Sequence, residues 1–403
     1  MSKLILITAV TVFFSVSKMF AQDELVQQKS IEKPSVLSTH VFGIFKGRLE
    51  GHFRTQPKNK FSLQLDHMSG NIWGQPVVNY IPTSEDLREH VRPAPWHVRE
   101  FVVNREDEDF QADTENFKIA YDGVIKGLKA RLYVPFNSKN ALQVELRSFI
   151  MTRGRLPFSG ITGDNFIETF HSNIAGGEDP FQRREFGLNQ AQISYTDREG
   201  RQMEIEPNEV FFGGVKLDYY HYFEELLRYD VHLNLGLHSG INASPFNKSL
   251  DVGISANAFR NFRVGDHSYI QLGLSFGYLN LNSISFSREN IQMATRPGFL
   301  NLESIFTYNM INSKQNVHSF GVDFYIQSAY HSPSEYDYSI LFRNPIATRS
   351  WHHSASHLYL NNNYWTFFYA FTQNNSFRIY LQQDWLVNNV PDLQTGIGYV
   401  INF

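Results

Sequence analysis

Cysteine is absent from the 403-residue chain. That excludes disulfides, thiolate zinc sites and cysteine nucleophiles, and it suits a chain exported to an oxidising compartment. An excess of either charge is also missing. The 36 Lys and Arg stand against 40 Asp and Glu, and the net charge of −4 is too small to argue for nucleic acid. Mean hydropathy is −0.33, which excludes a bundle of membrane-spanning helices. A polar average does not exclude a membrane protein built from strands, whose apolar residues are spread by alternation.

The first 21 residues read as a secretory signal that is cleaved on export. Lys3 supplies the positive region, residues 4–14 (LILITAVTVFF) the apolar region, and Ala21 the residue before the cut. The apolar run is shorter than the ~20 residues a span needs, which argues against an anchor. No Cys follows it, which argues against lipid attachment. Residues 22–58 read as a polar periplasmic segment, with 22–40 as a flexible tail. Residues 41–54 (VFGIFKGRLEGHFR) lean apolar, as a strand or a piece of chain lying in the mouth of the fold.

From residue 59 onwards the aromatics, 15% of the chain, fall into alternation. Ile270, Leu272, Leu274, Phe276 and Tyr278 stand opposite Gln271, Gly273, Ser275 and Gly277. Phe320, Val322, Phe324 and Ile326 stand opposite Gly321, Asp323, Tyr325 and Gln327. Such period-two runs predict strands with one apolar and one polar face. Short turns are expected at 373–375, 312–315, 261–266, 224–227, 197–200 and 137–140. Long connections are expected at 388–392, 329–354, 281–297, 239–248, 154–187 and 70–115, with a shorter one at 206–209. Short and long links alternate, as in a transmembrane antiparallel β-barrel with periplasmic turns and external loops. The count is about fourteen strands, or about twelve if the pair around Asp197 is an external hairpin. A secreted β-sandwich is the alternative all-β fold, but it gives no reason for the alternating link lengths.

The last eleven residues, 393–403, keep this pattern to the final atom. Leu393, Thr395, Ile397, Tyr399, Ile401 and Phe403 share one face. This resembles the closing strand of bacterial outer-membrane barrels, in which a terminal aromatic is part of the signal read by the barrel-insertion machinery. The resemblance implies that Tyr399, Ile401 and Phe403 form an assembly signal. It also implies the outer membrane of a Gram-negative bacterium, with residues 59–403 as the barrel and outer-membrane lipid as its surroundings.

Residues 160–171 read Gly-Ile-Thr-Gly-Asp-Asn-Phe-Ile-Glu-Thr-Phe-His. They resemble the Gly-Gly-x-Leu-Asp-x-x-Ile-x-x-Phe-His motif of an uncharacterised family of outer-membrane barrel proteins. The matching residues are Asp164, Ile167, Phe170 and His171. Asp113-Thr114-Glu115 is similar to the family's upstream Asp-Gly-Glu, and Arg183 or Arg184 to its Arg. Gly163 replaces the family's Leu, Gly214 stands where an Asp is common, and Ser239-Gly240 is all that is left of a Pro-Thr-Gly. The family has no established activity, so the resemblance implies no catalytic residues. Physically the motif predicts a short amphipathic helix, with Asp164 as N-cap and Phe166, Ile167, Phe170 and Ile174 on one apolar face. Such a helix can cap the barrel or fold inward as a plug.

Candidate chemistry is sparse. His353 and His357 lie four apart, a metal-ligand spacing on a helix but about 13 Å on a strand, so a surface loop is expected there. His171-Ser172-Asn173 and Thr348-Arg349-Ser350-Trp351 are similar to fragments of outer-membrane lipid hydrolases, but consecutive side chains on a helix diverge. The run Glu106–Asp109, with Asp113 and Glu115, could hold a cation that bridges lipid phosphates, or be a solvated loop. No cofactor and no enzyme activity are expected.

Alternation assigns inward acids Asp66, Glu145, Asp218, Asp230, Asp251, Glu303, Asp323 and Asp384, and inward bases Lys129, Arg131, Arg147, Lys216 and Arg378. His232, Asn234, Gln271, Gln327 and Gln382 join them. The expected function is passive passage of small solutes through a mildly cation-favouring lumen. The alternatives are a non-conducting structural or surface-interaction barrel and, more remotely, a lipid hydrolase.

Overall fold

A computed structural model describes residues 29–38, 40–57, 60–154, 159–175, 183–188, 190–343, 355–384 and 393–403. Fifteen strands form one antiparallel sheet. Twelve of them close into a barrel: β1 (Ser62–Pro82), β2 (Thr114–Asn137), β3 (Asn140–Thr152), β6 (Val210–Phe223), β7 (Val231–Ser244), β8 (Asn247–Gly265), β9 (Ser268–Ser285), β10 (Gly298–Ile311), β11 (Val317–Gln327), β13 (Asn362–Thr372), β14 (Ser376–Gln383) and β15 (Leu393–Asn402). Closure is at β1, where Leu65 faces Ala130 of β2 on one side and Tyr399 of β15 on the other.

The three remaining strands stand outside the ring. β4 (Gln192–Thr196) and β5 (Gln202–Ile205) form a hairpin on the upper part of β2, with Lys118 opposite Thr196. β12 (Ile340–Arg343) flanks the upper part of β1. The pair around Asp197 is therefore an external hairpin, and its turn is not a periplasmic one; twelve strands is the correct count. Two expected loops are shorter than read. β1 continues to Pro82, and β7 and β8 run almost through 239–248. Strands that extend past the ring keep pairing there, so a drop in apolar alternation does not end them. Residues 356–359, where a surface loop is expected, form a buried helical turn instead.

The faces are inverted relative to a water-soluble fold. Leu128, Leu146, Leu237, Ile254, Phe276, Leu300, Phe320 and Phe377 are exposed on the outside. Asp66, Lys129, Glu145, Arg147, Asp218, Asp251 and Glu303 are buried on the inside. Apolar surface turned outward and charge turned inward costs free energy in water on both counts. The arrangement suits a surrounding solvent of hydrocarbon and excludes the sandwich alternative.

The interior is occupied by the chain's own N-terminal segment. Residues 29–57 carry no strand, only a 3-10 turn at Val41–Phe45. They run inside the ring and touch inward residues of β2, β3, β6, β7, β8, β10, β14 and β15. Residues 29–38 and 40, read as part of a flexible tail, and 41–54, read as a strand or as chain in the mouth, thus lie together in the core of the barrel. Its fit is close: a Cβ on Gly127 of β2 would come within 2.8 Å of Leu37.

Among the described residues five short helices sit in the connections: α1 (Glu85–Val91), α2 (Glu108–Ala112), α3 (Asp164–Phe170), α4 (Arg183–Phe186) and α5 (Ser356–Tyr359). α1, α2 and α5 belong to the external roof, tied by Arg198 to Glu335 at 2.5 Å and by Tyr195 Oη donating to Gln292 O at 2.8 Å.

Candidate functional site

The lumen holds the largest concentration of charge in the molecule. Glu50 of the inner segment accepts from Lys129 at 3.1 Å and from Arg131 at 2.5 Å, and Arg131 also pairs with Glu145 at 2.5 Å. Lys33 pairs with Glu303 and lies 3.8 Å from Asp323, while Glu32 pairs with Arg378. The wall also binds the segment's backbone. Asp251 and Glu303 each accept a backbone N–H at 2.7 Å, from Gly47 and Gly51. Lys129 donates to Val36 O at 2.8 Å, Lys216 to Arg48 O at 3.1 Å, and Arg147 to Lys46 O. An irregular segment has no internal ladder, so these wall groups supply the partners its backbone needs in a buried place.

His52 is the most closely held side chain. Its ring stacks on Tyr220 with centroids 3.6 Å apart, and its Nε2 bonds Tyr222 Oη at 2.7 Å. Above it the contacts turn apolar. Phe45 stacks on Phe211 with centroids 5.3 Å apart, and Val41, Phe42 and Ile44 are buried. Lys46 lies 5.3 Å above the Tyr330 ring, a cation–π contact.

The inward assignments read from alternation hold for Asp66, Glu145, Arg147, Lys216, Asp218, His232, Asp251, Glu303, Asp323, Arg378 and Asp384, all buried. Asp218 accepts from His238 Nδ1 at 2.7 Å, and His232 stacks on Phe259. Asp230 is the exception. It sits before β7 with φ of 59° and pairs with Arg260 at 3.4 Å. A left-handed turn residue is outside the strand's alternation, so parity could not place it.

The loop-helix motif lies elsewhere. On β1, Leu65 points out, and so do His67, Ser69, Asn71 and Trp73 by strand parity; Ser69 faces Lys126 of β2. α3 covers this part of the outer wall. Asp164 accepts from Arg183 at 2.5 Å and from Asn71 at 2.9 Å, and the Arg183 guanidinium lies 5.5 Å from the Trp73 ring. Ser69 Oγ and Thr162 Oγ1 are 2.6 Å apart, and Lys126 Nζ donates to Ser69 at 2.7 Å. Asp164 is therefore an ion-pair partner at the start of the helix, and Arg183 is the arginine it meets. Ile167 is buried, while Phe166, Phe170 and Ile174 are exposed. The helix does not enter the lumen, and the expectation of an inward plug made by α3 is corrected. Asp164, Ile167 and Glu168 face the wall, and Asn165, Phe166, Thr169 and Phe170 face out. The side chain of His171 lies outside the described residues.

The other candidates have structural surroundings. Asp107 caps α2, accepting from Asp109 N at 3.0 Å, and Glu115 lies 3.5 Å from Arg198. Among the described residues no group of three His, Asp or Glu is placed to hold a metal ion. His353 and the stretch 348–351 lie outside the described residues; His357 is buried, with its ring 6.4 Å from that of His40. Ser172 accepts from Arg184 at 3.3 Å. On β15, Tyr399 and Phe403 are exposed on the outer face.

No protein-family profile and no curated protein matches this chain. Among solved structures it is similar to an outer-membrane channel from Pseudomonas putida F1, at 8% identity over 89% of this chain and 100% of that one, with a TM-score of 0.39. It is also similar to the β domain of the Bordetella autotransporter BrkA, at 6% identity over 85% and 100%, with a TM-score of 0.36. For OmpF of Salmonella typhi the values are 9%, 85%, 97% and 0.25. At such identities and scores the likeness carries no argument about activity.

Proposed function

We propose that this protein is an outer-membrane barrel for the passage of small solutes, closed at rest by its own N-terminal segment. The observation that supports it is the ion-paired run from Glu32 to Glu50 on inward charges of the wall. A barrel of this strand number is wide enough to need filling. Here the filling is a chain segment held by ion pairs and polar contacts, which water and ions can replace when it leaves, together with a buried apolar group. With the segment displaced, the wall presents seven acids (Asp66, Glu145, Asp218, Asp251, Glu303, Asp323, Asp384) against five bases (Lys129, Arg131, Arg147, Lys216, Arg378). That excess gives a mild cation preference, fading as salt screens it over ~10 Å at 0.1 M. The exposed apolar belt supports a ring set in a bilayer, and on this reading the short turns and both chain ends lie on the periplasmic side. Tyr399, Ile401 and Phe403 are the residues offered to the insertion machinery.

A second reading, a permanently closed structural barrel, is favoured by the buried apolar group Val41, Phe42, Ile44 and Phe45. Planar-bilayer recording separates the two. The parent protein is expected to give few or no steps, and Glu50→Gln/Glu303→Gln to give cation-favouring steps. A folded double variant that stays silent would establish the structural reading.

A further inference from the structure

We propose that the outer wall beside α3 is a binding site for one phosphate-bearing lipid of the outer leaflet. The acyl chain would lie in a hollow between β1, β2, β3 and β15, and the head against the polar cluster under α3. This rests on the reading that the exposed belt faces a bilayer.

The hollow measures about 580 Å³. Leu65, Leu128, Leu146, Phe212, Phe377 and Tyr399 surround it, and Ala130 is a small residue in its lining. All six of the larger residues are exposed on the barrel exterior, so the hollow is continuous with the lipid-facing belt. Its walls offer water almost nothing to bond, and apolar chain is the occupant they favour. A flat apolar wall would hold lipid anywhere; a depression walled by side chains holds a chain at one place.

The external end of the hollow is different. His67 and Ser148 line it there. One alternation step further on, Ser69 faces Lys126 on the outer side of the wall; both are buried under the α3 loop, and Lys126 donates to Ser69 at 2.7 Å. On β7 and β8 the outward positions at this level include exposed Ile241 and Val252, with Ser239 beside Val252 and Lys248 further on. A lysine on the outer wall of a barrel is costly at bilayer depth and close to neutral at the interface, where it meets anionic heads. Its ammonium suits a phosphate as a point charge. Arg184, with more than half of its side chain exposed, adds a second cation on the α3 side.

α3 supports the same assignment from its own composition. It buries both of its acids, Asp164 and Glu168, with Ile167, and exposes Phe166 and Phe170 beside Asn165 and Thr169; the two ring centroids are 6.4 Å apart. In water that orientation is backwards. At a membrane interface it is the stable one, with aromatic rings in the acyl boundary and the charged residues satisfied beneath. Thus a chain-sized apolar hollow, a cationic end and an interfacial helix meet at one edge of the wall. An amphiphile with an acyl chain and an anionic head matches all three.

The test uses the full-length protein in mild detergent, with heat-modifiable gel mobility as the check that the barrel is intact. Native mass spectrometry then scores three probes: diacyl phosphatidic acid (chains and phosphate), diacylglycerol (chains alone) and inorganic phosphate. The parent is expected to retain one phosphatidic acid, to hold diacylglycerol about tenfold less well and to retain no phosphate. Ala130→Trp, which fills the hollow, is expected to reduce phosphatidic acid binding about tenfold, and Lys126→Met to remove most of the preference for phosphatidic acid over diacylglycerol. Ala256→Trp, an outward substitution on the far wall, is expected to leave binding unchanged. Equal loss in Ala130→Trp and Ala256→Trp, or no loss in either, would overturn the proposal in favour of general lipid contact. Equal retention of phosphatidic acid and diacylglycerol by the parent would overturn the headgroup assignment. A protein with no heat-modifiable form would remove the barrel reading itself, and the site with it.

Discussion

Two segments of this chain exchange the places their composition suggests. Residues 29–57 contain Glu32, Lys33, Lys46, Arg48 and Glu50 and lack any strand pattern, yet they are buried inside the ring. α3 carries Phe166 and Phe170, yet it lies outside with both rings exposed. The solvent on each side of the wall explains the exchange. The inner wall is lined with acids, bases and amides, and an irregular segment with charged side chains and unpaired backbone groups complements it. The outer wall meets hydrocarbon, where phenylalanine is at home. In a membrane barrel the amphipathic helix belongs with the lipid and the polar tail can be the core.

The contrast can be broken most severely at Glu50. Glu50→Ala leaves Lys129 and Arg131 buried without their shared carboxylate, and loss of one member of such a network costs about 3–5 kcal/mol. The inner segment should detach, and conductance steps should appear in planar bilayers. The outer segment has its own equivalent. Asp164→Ala removes the shortest ion pair of Arg183, leaving it Glu168 at 3.5 Å and Asn71 at 3.1 Å, and should loosen α3 from the wall. External protease should then cut the 154–187 loop many times faster, with the barrel's heat-modifiable mobility unchanged. Phe170→Asp sharpens the comparison by a null result. It alters a lipid-facing ring, so single-channel behaviour should equal that of the parent; a rise in conductance would return α3 to the lumen.

The smallest effect is expected in the external roof. His331 is buried, its Nδ1 accepts from Thr295 N at 3.1 Å, and burial with nearby Arg198 and Lys46 holds its pKa well below the usual imidazole range. A group whose pKa is lower in the fold contributes stability above its unfolded value of ~6.5 and loses it as pH falls below that. Acidification from pH 7 to about 5 should loosen the roof, seen as faster external proteolysis near 328–339, and His331→Gln should flatten the profile.

Much of the barrel was legible because its signal is local. The rows Ile270–Tyr278 and Phe320–Ile326 specify strand, face and neighbour at once, and the same parity placed Asp66, Glu145, Lys216 and Asp323 inside. The exact ring needed more. Whether β4 and β5 belong to it depends on pairing with the upper part of β2, a long-range fact that alternation does not carry. The inner segment was illegible because its order comes from the wall and not from its own period. One hint was present: Gly43, Gly47 and Gly51 recur at four-residue spacing where the chain passes close to neighbouring groups. For α3 the helix was legible, but not its covering: Phe166, Ile167, Phe170 and Ile174 read as one apolar face in need of apolar surface, and of these only Ile167 is buried. A helical period names an apolar face without saying whether protein or lipid covers it.

The central claim is that residues 29–57 fill the lumen, and the absence of native cysteine makes a direct measurement possible. A Cβ on Gly47 would lie 3.6 Å from Asp251 Cβ on the inner wall, within the range of a disulfide. Gly47→Cys/Asp251→Cys, assembled in outer membranes and treated with a mild oxidant, should form an intramolecular disulfide in nearly every molecule. It should leave no thiol open to alkylation and suppress conductance until reduced. If both thiols are alkylated in the folded barrel under the same conditions, the segment is not in the lumen and the account is wrong.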